Sequence, residues 1–191
     1  MHIEALIQYL MSSNHILFQI ILGVIIADII SGFIHFAQDN IGSEKVPIWG
    51  KIVEDGRKHH EDPTAFTRSS VWERSKYAFI GSGLLYQLSD FIIGPTIWGI
   101  SATIAGAFMI EIQVWAHRDK ESTPRVIQAL QWLGIMQSPR KHEPHHYQNE
   151  DGSPKQIAYC IITDWINPIF DYFEFWVHFH RWTARFHRKV D

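Results

Sequence analysis

Between Ile16 and Ala37 the chain is apolar apart from Gln19, Asp28, Ser31 and His35. A helix of about 22 such residues, rising 1.5 Å per residue, is long enough to cross a hydrocarbon layer roughly 30 Å thick. Asp28, His35 and Asp39 are spaced by seven and four, so a helix places all three on one face. An ionisable group inside a membrane is costly to keep and ordinarily faces a bundle interior or a functional site. The run therefore predicts a membrane helix whose polar stripe descends to one end. A buried helix of a soluble protein is the competing reading, and the length weighs against it.

Two more apolar blocks follow. Tyr77 to Trp115 is broken near Gly94-Pro95 and carries no Lys or Arg, which predicts two transmembrane helices joined by a tight turn, with Asp90 near that turn. Ile157 to Phe179 is aromatic but interrupted by Asp164, Asn167, Pro168, Asp171 and Glu174, too polar to span cleanly. Residues 157–180 are expected to form an interfacial or re-entrant segment, and the basic, aromatic tail from His178 to Lys189 an anchor at headgroup level. There His178, His180 and His187 are explained by their neighbours rather than as ligands. The fold class expected is all-α: an integral membrane helical bundle with about three to four transmembrane helices (about 16–37, 77–94 and 96–116). One domain covers residues 1–191, with His-rich loops at 39–76 and 117–156. Within the second loop, Val126 to Met136 has the pattern of an amphipathic surface helix.

Composition narrows the function classes. A net charge of −3 provides no basic field for nucleic acid. The single cysteine, Cys160, excludes an internal disulfide and a Cys-built zinc cage. The 8 Trp and 12 Phe suit aromatic belts at a membrane interface, although a large core would also use them. Residues 1–13 are weakly amphipathic and free of Lys and Arg, so neither a cleavable signal peptide nor a plastid transit segment is expected.

Charge then sets topology. Lys45, Lys51, Arg57, Lys58, Arg68, Arg74 and Lys76 fall in one polar stretch, and Arg118, Lys120, Arg125, Arg140, Lys141 and Lys155 in the other. With three crossings both stretches lie on the same side, which the positive-inside rule makes cytoplasmic. That face collects the pair His59-His60, the H-x-x-H-H run of His142, His145 and His146, and also His35, Asp39 and His117. Gln113 and His117, at i and i+4, share a helix face pointing the same way.

Neutral imidazole offers a directional lone pair near pH 7, and histidines this close can converge on one or two metal ions. Adjacent histidines on a helix point about 100° apart, so His59 and His60 can serve two metals, or one metal and a supporting carboxylate. A nitrogen-rich set with few carboxylates and no thiolates suits zinc, iron, copper or nickel, and there are more imidazoles than one tetrahedral zinc can use. Two metals are expected. Two irons would activate O2 against an unactivated C–H bond of a membrane lipid, and two zincs would make a hydrolase. A non-catalytic metal- or lipid-binding membrane protein is the remaining class.

The pieces Gly32-Phe33-Ile34-His35-x-x-x-Asp39, Pro47-Ile48-x-Gly50-Lys51, His59-His60-Glu61-Asp62-Pro63-Thr64-Ala65-x-Thr67-Arg68, Trp115-Ala116-His117, Pro139-x-x-His142-x-x-His145-His146 and Thr163-Asp164-Trp165-Ile166-Asn167 occur in this order. Together they resemble the Kua/CarF family of membrane lipid desaturases, which includes plasmanylethanolamine desaturase and a plant plastid fatty-acyl desaturase. The resemblance implies a His-bound diiron centre that uses O2 as co-substrate and electrons from a carrier such as cytochrome b5 or ferredoxin. It implies the alkyl ether of plasmanylethanolamine as substrate, with an acyl glycerolipid as the alternative, and a bacterial inner membrane or endoplasmic reticulum as the location. Carried over by position, the ligands are His35, His59, His60, His117, His142, His145 and His146, with Asp39 as a ligand or its partner. The family motif before His117 reads His-x-Trp-[Ala/Ser]-His, and here Gln113, a weaker amide-oxygen ligand, stands at its first position.

Overall fold

The computed structural model describes residues 15–187, and the readings of residues 1–13 and of the last residues of the tail lie outside them. Among the described residues the chain is all-helical, with one isolated antiparallel bridge between Gln148 and Pro154. The first helix, α1, runs Ile16–Asn40. Among the described residues it is the one helix long and apolar enough by itself to cross a membrane.

Residues 40–76 are not a plain loop. They contain α2, Trp49–Glu61, which carries His59 and His60 in its last turn. Gly50 and Gly56 lie inside this helix, each where another chain segment passes close by. A Cβ on Gly50 would lie 2.1 Å from the Glu44 carbonyl oxygen, and one on Gly56 would lie 3.3 Å from Gln38 Cβ. A 3-10 turn at Ala65–Arg68 leads to α3, Val71–Ile93. Its start is fixed by a reciprocal capping box between Ser70 and Glu73.

The turn expected at Gly94-Pro95 is present, with Gly94 at φ +78° and Thr96 capping α4, Ile97–Ala107, through the Gly99 N–H. The second expected span is broken. At Phe108 the axis bends by 47°, and the chain continues as α5, Met109–Ala116; α4 and α5 are long and apolar enough to cross a membrane only together, as one bent span. α3 is long enough but is diluted by Glu73, Arg74 and Lys76 at its start and by Gln87 and Asp90 further on, and is not apolar enough. Among the described residues one helix, or two spans if the bent pair is one, can cross a membrane by length and composition, against the three to four expected.

α1 and α4 meet at Gly23, where a Cβ would lie 2.0 Å from Ser101 Oγ and 2.2 Å from the Trp98 carbonyl oxygen. Only glycine permits that approach. α3 runs antiparallel to α4 and α5: Arg74 and Ser75 bond Glu111, the Phe79 and Phe108 rings meet edge to face, and Gly106 abuts Ser82. Glu111 is thereby engaged by a bidentate Arg74.

The second polar stretch folds as α6, Arg125–Trp132, and α7, Pro139–His142, followed by a 3-10 turn at Glu143–His146. Residues 158–163 then run buried along α1 without regular secondary structure, with Ala158 at φ +57°. Asp28, fully buried, accepts from Ile162 N (2.8 Å), Thr163 N (3.3 Å) and Thr163 Oγ1 (2.6 Å), and Ser31 Oγ accepts from Ile161 N. The Asn167 side chain pairs with both backbone groups of Cys160, and Gln137 Nε2 donates to the same carbonyl. A buried irregular segment here has its backbone polar groups satisfied by side chains. Two short helices, α8 (Asn167–Tyr172) and α9 (Phe175–His187), close the fold. Trp176 packs with Phe36, Tyr159 and Cys160 in the main apolar cluster.

Candidate metal centre

The carboxyl end of α1, the carboxyl end of α2, the end of α5 and the turn after α7 meet at one place. Their side chains form two groups of four. His59, His117, His142 and His146 make one; His35, Asp39, His60 and His145 make the other, and in each the potential ligand atoms lie within 4.8 Å of one another. All seven histidines singled out from sequence, together with Asp39, are brought together here. Consecutive residues are split: His59 and His60 go to different quartets, as do His145 and His146. His178, exposed, and His180, beside Phe36, stay outside both.

The acid quartet is centred on one carboxylate oxygen. Asp39 Oδ2 lies 3.0 Å from His60 Nε2, 3.2 Å from His145 Nε2 and 3.6 Å from His35 Nε2. Two of these rings have their tautomer fixed from behind. His145 Nδ1 donates to the Ile157 carbonyl at 2.7 Å, and His35 Nδ1 to the Tyr159 carbonyl at 3.2 Å. A carbonyl only accepts, so in the neutral rings both Nε2 atoms carry lone pairs aimed at a carboxylate oxygen. Lone pairs facing each other across 3.2 Å repel unless a cation lies between them or the ring is protonated. One carboxylate cannot balance three buried imidazolium ions.

The all-histidine quartet has no carboxylate. His142 Nε2 and His146 Nε2 are 3.3 Å apart, and His59 lies with its ring centre 4.5 Å from that of His117 and 4.7 Å from that of His146. Burial and the neighbouring imidazoles push His59 and His142 well below the usual imidazole range, His117 to about 4 and His146 to about 2. These rings are neutral at pH 7, the form that binds metal. Polar nitrogens of four of them (His59 Nδ1, His117 Nε2, His142 Nδ1 and His146 Nδ1) are buried without a partner. Such a set of buried lone pairs fits a cation better than an empty core.

Gln113, buried, places Nε2 3.3 Å from His59 Nε2. With His117 at the end of the same helix it converges on His59, as the i, i+4 spacing implied. Asp28, grouped with His35 and Asp39 by spacing, is not at the centre; it holds Ile162 and Thr163 against α1. The Ile157 and Tyr159 carbonyls were missed from sequence because a backbone oxygen leaves no residue signature.

A cavity of about 940 Å³ opens beside this centre between α1, α2, α3 and the α4–α5 pair. One histidine of each quartet, His35 and His59, lines it, as does Gln113. Lys51, Lys58 and Lys76 border the same end, while Ile30, Leu85, Leu88, Ile92 and Trp98 line the rest.

A family model described as "Lipid desaturase domain" matches residues 24–188. The chain belongs to that family. It is 31% identical over 162 residues to plasmanylethanolamine desaturase of Myxococcus xanthus and 31% identical over 152 residues to fatty acid desaturase 4, chloroplastic, of Arabidopsis thaliana. It is 30% identical over 175 residues to plasmanylethanolamine desaturase 1 of Mus musculus. These alignments cover 78%, 78% and 82% of this lipid desaturase family member and 53%, 46% and 60% of the relatives, so the chain spans about half the length of the curated relatives it matches. No solved structure matches it.

Proposed function

We propose that this protein is a membrane lipid desaturase that dehydrogenates a hydrocarbon chain at a centre holding two iron ions. The observation that carries this reading is the position of the two quartets at one end of a long apolar cavity, with His35 and His59 on its wall. An apolar cavity seats a hydrocarbon chain, the part of a lipid whose C–H bonds a desaturase oxidises. The bilayer supplies the substrate.

His35, Asp39, His60 and His145 would hold one iron, and His59, His117, His142 and His146 the other. When bound, the pair supplies O2 reduction coupled to removal of two hydrogens from adjacent carbons. The balance is one saturated C–C bond, O2, two electrons and two protons giving one C=C bond and two waters. A small carrier such as cytochrome b5 or ferredoxin supplies the electrons. The Ile157 and Tyr159 carbonyls hold His145 and His35 with Nε2 inward, and Asp39 places a single negative charge on one side of the centre. The apolar wall excludes water from the chain to be oxidised. The His face is read as cytoplasmic from the basic residues around it.

Two relatives of equal identity carry different substrate words in their names, plasmanylethanolamine and fatty acid. We favour the alkyl ether of plasmanylethanolamine, converted to a vinyl ether, with acyl-lipid desaturation as the second reading. The test is expression in a host lacking vinyl-ether lipids, with metal analysis of the purified protein. About two irons per chain and acid-labile lipids two mass units lighter support the first reading. New acyl double bonds support the second. Stoichiometric zinc after growth in ample iron, with unchanged lipids, overturns both.

A further inference from the structure

We propose that the cavity measures the substrate chain, and that Gly81 on α3 is the residue that keeps its far half open. This rests on the lipid-desaturase reading, and the occupant is the part of the hydrocarbon chain lying beyond the reacting bond.

The pairing of α3 with α4 and α5 gives the cavity a depth scale. Its reactive end is set by Gln113, which touches His59. Fifteen positions back along α5 and α4 lies Trp98, near the far end. That is about 22 Å at 1.5 Å per residue. A hydrocarbon chain of tetrahedral single bonds near 1.5 Å advances about 1.3 Å per carbon, so about seventeen carbons fit that distance. Gly106 stands seven positions from Gln113, about 10 Å or eight carbons along. Gly106 abuts Ser82, so the neighbouring Gly81 sits at that depth.

Gly81 lines the cavity, and a Cβ built on it meets no atom within 4 Å. Neither a turn nor a left-handed φ requires glycine there, since it lies in the middle of α3 and is not among the positive-φ glycines. A glycine in a helix interior is unfavourable relative to residues with side chains, so packing does not explain it. What it provides is open width in the passage. Gly83 makes the matched control: it is in the same helix, a Cβ on it also meets nothing within 4 Å, and it does not line the cavity.

The experiment compares Gly81→Leu with Gly83→Leu in the full chain. Both replace an open glycine by a better helix former, so folding is expected to survive in each. Turnover is measured on lipids that differ only in the length of the chain being dehydrogenated. Gly81→Leu should keep wild-type turnover when fewer than about eight carbons lie beyond the reacting bond, and lose at least about tenfold for longer chains. Gly83→Leu should follow the wild type at every length. Equal profiles for the two variants overturn the ruler.

A binding readout separates this from the functional reading. A lipid carrying a diazirine about fifteen carbons along its chain is photolysed with each protein, and labelled peptides are mapped. Labelling near Ile92 and Trp98 that is lost only in Gly81→Leu supports the ruler even if no lipid is oxidised, in which case the desaturase reading fails alone. Labelling unchanged by Gly81→Leu overturns the ruler even where turnover is normal.

Discussion

His145 and His146 are consecutive in sequence and serve different quartets: His145 Nε2 lies 3.2 Å from Asp39 Oδ2, and His146 Nε2 lies 3.3 Å from His142 Nε2. The 3-10 turn at Glu143–His146 spreads neighbouring side chains by about 120°, three residues to a turn, which lets one short segment reach both halves of the centre.

Alanine at either position should therefore remove one metal rather than both. His145→Ala should lose the ion held with Asp39, and His146→Ala the one held by histidines alone, each lowering metal content from about two to about one per chain. Elemental analysis of the folded variants checks this. Turnover should fall by at least about 100-fold in both, since tampering merely with ligand-supporting groups already costs 10–100-fold. Full loss of both metals from either variant would mean a single shared site.

Asp28 accepts three hydrogen bonds from Ile162 and Thr163 and is fully buried. Asp28→Ala leaves two backbone N–H groups and a hydroxyl without partners, and stranding a buried donor costs about 1–3 kcal/mol. We expect a loss of at least about 3 kcal/mol in detergent unfolding, on that per-donor scale. Asp28→Asn, which still offers an acceptor oxygen, should lose less. Equal stability of Asp28→Ala and the wild type would show that the buried segment is held by other contacts.

The apolar run of α1, the Gly94-Pro95 turn and α6 were legible because periodicity and turn chemistry are local. The bend at Phe108 was not: Gly106 lies two residues earlier, but a lone glycine inside an apolar block does not announce a break, and the sequence reads on as one segment. The histidines of the two quartets stood out because their residue type and pairing are unusual. Their division was implied only by the angle between neighbours in a helix. Nothing local distinguished Asp28 from Asp39, since both lie on the same face of α1. Their difference comes from what packs there, the buried segment 158–163 against Asp28 and three imidazoles around Asp39. Thr163, Asn167 and Gln137 read as ordinary polar residues, and the hydrogen bonds by which they fix that segment depend on contacts that periodicity does not show.

Tyr159 separates backbone from side-chain roles at the centre. Its carbonyl accepts from His35 Nδ1, while its hydroxyl accepts from Asn40 and donates to Gln156. Tyr159→Phe keeps the carbonyl and should retain full metal content, with a stability loss of about 0.5–1.5 kcal/mol, the scale of one ordinary hydrogen bond. Metal loss in this variant would assign the hydroxyl a part in the centre beyond its bonds to Asn40 and Gln156.

The metal-free protein should be sensitive to acid in a window set by its depressed imidazoles. His117 is held at about 4 by burial and nearby imidazoles, against about 6.5 when exposed. Between those values the unfolded chain binds the proton and the folded chain does not. Stability therefore rises with pH across the window and is lost as pH falls from about 6.5 toward 4, by up to about 1.4 kcal/mol per pH unit for one such group. His117 is only partly screened from water, so less than that limit is expected. His117→Ala, stripped of metal in the same way, should show a shallower fall in melting temperature over this range. The comparison is a set of thermal melts of chelator-treated protein between pH 4 and 7. Parallel curves for the variant and the wild type would mean that His117 carries its proton equally in both states.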